Sequence, residues 1–388
     1  MPAFVVDRIE SEEGLAALGP AWRELERSTR NSLPFLTFAW TSCWWKHMHE
    51  DRLAVKDSLA IRTVRTSAGE LVGVAPFILT KRPGVGPLQA TCLHFIGADP
   101  NMTEVRGALC QRGLERACYE ALWADLSRFE RGVDWIRWTG IEDGSGGRQA
   151  LADTHARWVD GVVCSVLPLP SSWEELRSSR PRNLKEALRR AYNSLKKDGL
   201  EYSLEVVTSP AAVEPCLLDF FRLHAARSML SGTVDHNDVF AAPSSRAFLV
   251  DACQEFAADG VLRIFRLHVS GKLVATRIGF LLSDCLYLYY SGFDPDFSRY
   301  AVMTTAVAEA IKYAIAQGVK SVNLSTGRDV WKQRWRPDEI VYSEALLFPA
   351  HALGRAKYEA VNVARRAFTQ PAMQKWLARR APVGALPE

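Results

Sequence analysis

Several features that would place a protein quickly are missing from this 388-residue chain. Its eight cysteines, at positions 43, 92, 110, 118, 164, 216, 253 and 285, form no CxxC pair. That spacing disfavours a zinc site and a disulfide framework, and reads as reduced, mostly buried thiols. No uninterrupted apolar stretch reaches the roughly 18 to 20 residues that a membrane span requires, so no span is expected. The start, MPAFVVDRIESEEGL, turns acidic at once and has neither an apolar run nor a small-residue cleavage site, which predicts a cytoplasmic protein. Net charge is only +4, too little to argue for a nucleic-acid protein or a polybasic membrane anchor. With 48% hydrophobic and 24% charged residues and no internal repeat, the composition is that of an ordinary globular chain. Its length favours two domains, since single cores seldom grow beyond about 250 to 300 residues.

What is present is a succession of short periodic segments. Leu15, Leu18, Trp22 and Leu25 recur at helical spacing over 12–30. LAIRTV (59–64) and LVGVAPFILT (71–80) flank SAGE and predict a β-hairpin turning at Gly69. A strand TCLHFIG, a polar loop, a helix over 113–131 and a strand VDWIRWTG follow. Pro168 and Pro170 in VLPLPSS mark a boundary, and SSWEEL restarts regular structure with a capping pattern. We therefore divide the chain into lobes at 1–165 and 166–350 and a basic helical tail at 351–388. The second lobe reads helix, strand, helix, helix, and then a three-strand meander over 261–270, 272–282 and 285–293. A crossover helix from about Ser298 to Gly318, the strand VKSVNLS and the strand IVYSEALLF complete a mixed α/β sheet.

One corner of this sheet gathers the residues that carry chemistry. The strand LYLYYSGF runs through DPDFSRY into the start of the crossover helix, where unpaired N–H groups and a partial positive charge suit phosphate, with Arg299 at the junction. Beside it the next strand ends in NLSTGRDVWKQRW, with Trp331 and Trp335 four apart among Arg328, Lys332, Arg334 and Arg336. Ligands of open α/β sheets sit at such carboxyl ends. Upstream, RNLKEALRRAYNSLKKDG has an apolar stripe at Leu184, Leu188, Ala191 and Leu195, with Arg182, Lys185, Arg189, Arg190, Lys196 and Lys197 elsewhere. This face is either a solvated surface or a cradle for an acidic partner. Trp40, Trp44 and Trp45 read as core before they read as a sugar platform.

The order of these blocks resembles the GNAT superfamily of acetyltransferases, in its CelD-like, FemAB-related branch. The resemblance rests on LYLYYSGFDPDFSRY, the helix ending AIAQGVKSVNLS, GRDVWKQRW, FFRLHAARS and the basic helix. It implies two GNAT-like lobes in tandem, the second binding acetyl-CoA or another acyl-CoA between the strands at 285–292 and 319–325. Tyr289 and Ser291 would line the pantetheine path, and Arg299, Tyr300, Ala301, Val302, Met303 and Thr304 would meet the phosphates. Departures are visible: Tyr300-Ala301-Val302-Met303 replaces a glycine-rich turn, Trp331 stands where tyrosine is usual, and Ser228 where tryptophan is.

Acyl transfer to an amine needs a proton acceptor and donors for the developing oxyanion. His224 and Asp329 are the candidate bases, although His224 also suits a core position and Asp329 suits pairing with Arg328 or Lys332. The backbone at Tyr290 or Ser291 is the candidate oxyanion donor. Arg227, Asn323, Trp331, Lys332 and Arg334 are expected around the acceptor. That acceptor is expected to be a small molecule, a sugar or a glycan precursor of the cell envelope, with no metal. An aminoacyl-tRNA-dependent peptidyl transferase and a non-catalytic scaffold of a polysaccharide synthesis complex are the alternatives.

Overall fold

The computed structural model describes residues 4–52, 55–82, 89–99, 101–129, 132–230, 237–350 and 352–369. Its first half contributes β1 (Phe4–Ile9), α1 (Glu12–Thr29), α2 (Phe38–Met48), β2 (Asp51–Arg52), β3 (Val55–Leu59), β4 (Ile61–Thr66), β5 (Leu71–Ala75), β6 (Phe77–Arg82), β7 (Ala90–Phe95), β8 (Leu109–Cys110), α3 (Glu115–Leu126), β9 (Trp135–Glu142), α4 (Gly146–Ala150) and β10 (Arg157–Pro168). The second half adds α5 (Trp173–Ser179), α6 (Arg182–Lys197), β11 (Tyr202–Val207), α7 (Val213–Ser228), α8 (Pro243–Ala258), β12 (Leu262–Val269), β13 (Lys272–Leu282), β14 (Cys285–Phe293), α9 (Val302–Ala316), β15 (Ser321–Thr326), α10 (Val330–Gln333), β16 (Asp338–Leu347) and α11 (Ala352–Thr369). The tail expected beyond residue 369 lies outside the described residues.

Local chemistry accounts for most boundaries. Ser11 caps α1 by accepting the Gly14 N–H, and Glu12 and Glu13 complement its positive end. The hairpin at Gly69 forms as the spacing predicts, with that glycine at φ 87°. The long strand expected over 71–80 does not: it breaks at Pro76, which has no N–H for a ladder. As a result β5 joins a four-stranded sheet, β1-β4-β5-β8, while β6 enters the main sheet.

That main sheet has twelve strands in the order β11-β12-β13-β14-β15-β10-β16-β9-β7-β6-β3-β2. The meander β12-β13-β14 forms around Ser270-Gly271 and Ser283, all with positive φ. Two strands trade places at the centre. β10 pairs with β15, and β16 inserts between β10 and β9. One continuous sheet thus links the two halves.

Each half contains one parallel pair joined across a helix, and in each the pair opens. β14 and β15 are in register only at Cys285↔Ser321, Leu286↔Val322 and Tyr287↔Asn323, and part beyond that point. β7 and β9 pair only at Cys92↔Trp135, Leu93↔Ile136 and His94↔Arg137. In the first half the chain fills its own gap. Thr139 Oγ1 donates to the Arg106 carbonyl at 2.9 Å, and a Cβ on Gly140 would stand 2.1 Å from that oxygen. Between β14 and β15 the gap remains a cavity.

Candidate active site

The cavity has a volume of about 1010 Å³ and opens where β14 and β15 diverge. Tyr289, Tyr290, Ser291 and Phe293 form one wall, Ser325 and Thr326 the opposite one, and the first turn of α9 the end. Met303 and Thr304 belong to that first turn, and Asp329, Trp331 and Arg334 also line the cavity. Apolar side chains thus surround a few polar groups, as in small-molecule sites generally.

The start of α9 departs from the expected polar cap at Ser298. Pro295–Tyr300 is a short 3-10 turn, and the α-helix begins after Ala301, held at φ 50°. No side chain caps α9, and Thr304 N–H returns to the Ala301 carbonyl at 2.8 Å. The N–H groups of Val302 and Met303 precede any intrahelical partner, as at every helix start, and their residues line the cavity. Ala301, Val302, Met303 and Thr304 therefore come together there, while two neighbours do not. Arg299 pairs with Asp198 at 3.3 Å, and Tyr300 is buried and donates to the same carboxylate at 2.8 Å. Neither lines the cavity.

His224 and Arg227 of α7 reach β14 from the side. His224 is buried, with Nδ1 3.1 Å from the Ser291 carbonyl. A carbonyl only accepts, so Nδ1 carries the proton and Nε2 the lone pair. Burial holds its pKa below the ordinary histidine value. Among the described residues Nε2 is covered and has no hydrogen-bond partner, with Asp238 3.8 Å away. Arg227 donates to Ser291 Oγ at 3.0 Å. Tyr290 donates its hydroxyl to the Asn101 carbonyl at 2.9 Å, and burial raises its pKa, so it stays protonated at neutral pH.

Around α10 the charges are largely satisfied. Lys332, only 4% exposed, donates to the Thr326 carbonyl and pairs with Asp329 at 2.9 Å. It holds the turn after β15 as well as lining the cavity. Arg328 faces away, in contact with Glu339 at 2.8 Å, and the buried Trp335 packs beneath, its carbonyl accepting from Arg180 at 2.5 Å. Asn323 sits at the seam where the strands still pair, its Oδ1 accepting from the Ser325 N–H at 2.9 Å, and does not line the cavity.

Two charged residues missing from the sequence reading sit at the centre. Glu104 arrives from the first half, on the loop after β7. Tyr287 donates its hydroxyl to Oε2, and Ser325 Oγ lies 2.7 Å from Oε1. Burial raises the pKa of this carboxyl, opposed by those hydrogen bonds and by Lys332 and Arg277. The loop is fixed from behind by the tryptophan cluster. Trp40 Nε1 donates to Thr103 Oγ1 at 3.0 Å, and Trp44 Nε1 donates to Asp99 at 2.9 Å. Asp99 in turn accepts from the N–H groups of Met102 and Thr103. Arg277, 5% exposed, is the other. Its signal was present in the sequence: one arginine inside the apolar strand LVATRIGFLL.

Residues 182–333 match the acetyltransferase (GNAT) domain family. This part of the chain is a GNAT acetyltransferase domain. The match starts at the first residue of α6 and ends at the last of α10, so it contains the divergent strand pair and α9. Similarity of fold extends further. FemX superposes with a TM-score of 0.58 at 10% identity, over 92% of this chain and 99% of its own. The C-terminal domain of a protein described as a lysylphosphatidylglycerol synthetase from Agrobacterium fabrum gives 0.53 at 11%, over 89% and 96%. A conserved protein of unknown function from Bacteroides thetaiotaomicron gives 0.52 at 14%, over 88% and 100%. No curated protein matches the sequence. The GNAT fold expected from the ordered motifs is thus the fold observed, and the GNAT-type acyltransferase assignment rests on residues 182–333. Among the described residues no helix is long and apolar enough to cross a membrane, and no group of three His, Cys, Asp or Glu could hold a metal ion.

Proposed function

We propose that the protein is an acyl-coenzyme A-dependent N-acyltransferase that acts on a small amine, of the kind found in sugar or cell-envelope precursors. The observation that carries this reading is the open gap between β14 and β15 leading to the uncapped start of α9. A pantetheine arm fits the gap, and the Val302 and Met303 N–H groups are oriented by the helix toward an anion such as the donor diphosphate. Such a donor suits a cytoplasmic enzyme, as do the eight free cysteines, seven of them buried.

In this reading the amine attacks the thioester carbon directly. A C–N bond forms, the C–S bond breaks, and the backbone N–H of Tyr290 or Ser291 receives the developing oxyanion. Glu104 takes the proton lost by the amine, because burial raises its pKa toward the range useful to a base. His224 is better suited to positioning: its protonated nitrogen is tied to Ser291 and its free one is covered. The Tyr290 hydroxyl can protonate the departing thiolate.

Calorimetric titration with acetyl-CoA tests the donor. Binding at sub-millimolar concentration is expected. No heat with acetyl-CoA, together with strongly salt-dependent binding of tRNA, would replace this reading with the peptidyl-transferase alternative. Binding of neither would favour a scaffold.

A further inference from the structure

Arg277 is out of balance with its surroundings. Its guanidinium is 5% exposed and lines the cavity, yet among the described residues it donates no hydrogen bond and pairs with no carboxylate. Its Nε is fully covered and, among the described residues, unpartnered. The closest support is the Trp331 ring, whose centroid lies 5.3 Å from the guanidinium carbon. The neighbouring Arg227 adds a second positive charge, and burial together with that charge lowers the Arg277 pKa to about 10. Among the described residues the carboxylates that favour its charge, Glu104 and Asp329, are already engaged. Asp329 is bound to Lys332, and Glu104 accepts from Tyr287 and Ser325. A buried cation without partners costs several kcal/mol as a rule. It is retained here at a position where a bound group would satisfy it.

We propose that the amine acceptor carries an anionic group, a carboxylate or phosphate, that docks on Arg277 between the Trp331 ring and Arg227. The planar fork of arginine suits a bidentate pair with either anion. Trp331 supplies a flat wall that holds the fork. The anion also orients the acceptor, so that its amine is presented toward Glu104, which lines the same cavity. This inference rests on the acyltransferase reading for the word acceptor, but not for the existence of the anion site.

The test uses Arg277→Met, which keeps the volume against Trp331 and removes the charge, with Arg277→Lys as the charged control. Without ligand, Arg277→Met should melt at or above the wild-type temperature, because an unpaired buried charge is lost. Inorganic phosphate is then titrated against protein saturated with desulfo-coenzyme A, which occupies the donor site. Wild type should gain melting temperature with phosphate and Arg277→Met should gain none. If coenzyme A fails to bind at all, the donor reading fails, while the phosphate difference between wild type and variant still decides this one. Paired amines, glucosamine 6-phosphate against glucosamine and amino acids against their amides, then report on the acceptor through thiol release. The charged member of a pair should be preferred by wild type, with its advantage falling about 10- to 100-fold in Arg277→Met and partly kept in Arg277→Lys. Equal phosphate response in wild type and Arg277→Met would overturn the proposal. So would a variant that weakens only acetyl-CoA, since the anion would then belong to the donor.

Discussion

Replacing Glu104 by glutamine separates chemistry from structure in this site. The carboxylate accepts from two hydroxyls, Tyr287 and Ser325, and is isosteric with the amide. Hydroxyl hydrogens can rotate to suit, so the lost charge assistance is worth about 1 to 2 kcal/mol of stability at most. Removal of a buried charge offsets part of that. The effect on rate is of another size: loss of a positioned base costs about 100- to 10,000-fold, or about 3 to 5 kcal/mol of barrier. The assay is thiol release from acetyl-CoA with the preferred amine, from pH 5 to 9. In wild type, kcat/KM should rise with pH along a limb whose midpoint lies above the ordinary glutamate value of about 4.3, because burial raises this carboxyl. Glu104→Gln should lack that limb while binding acetyl-CoA as wild type does. A variant that keeps more than about a tenth of the activity with the same pH profile would remove Glu104 from the chemistry and return the role to His224 or Asp329.

Two further predictions concern the scaffold. A Cβ on Gly292 would stand 2.4 Å from the His224 nitrogen and 2.6 Å from the Leu223 carbonyl carbon, both backbone atoms of α7, so Gly292→Ala should destabilise by about 3 kcal/mol or more in denaturant melts; wild-type stability would contradict the close approach of α7 to β14. Burial of Glu26 raises its carboxyl to about 7, against 4.5 when unfolded, so the folded state binds the extra proton between those values and its stability falls as pH rises through them. Glu26→Gln keeps an acceptor for the Phe38 N–H and should gain about 2 kcal/mol over wild type between pH 5.5 and 8.5, whereas parallel pH profiles would refute the assignment.

The parts legible in the sequence are those set by local periodicity and turn chemistry. The meander, the crossover helix and the closing strand follow from alternation, from Ser270-Gly271 and from Gly318, and α1 from its cap and apolar stripe. The same logic brought His224, Arg227, Tyr290 and the start of α9 to one cavity. What escaped depends on contacts distant along the chain. Glu104 reaches Ser325 across 221 positions, and nothing in its own loop marks it as buried. The exchange of β10 and β16 is likewise a matter of which edges meet, to which pattern within a strand is blind. Arg299 looked like a phosphate ligand because it precedes a helix, but Asp198 at the end of α6 holds it aside. The tryptophans at 40 and 44 are core, as their clustering suggested, and their indole N–H groups fix the loop that carries Glu104.

A crystal structure with coenzyme A bound tests the central claim most directly. The pantetheine should lie between β14 and β15 beyond the Tyr287↔Asn323 pair, with its diphosphate on the Val302 and Met303 N–H groups and its sulfur within reach of the Tyr290 hydroxyl. Coenzyme A bound elsewhere, with the gap between those strands empty, would contradict it.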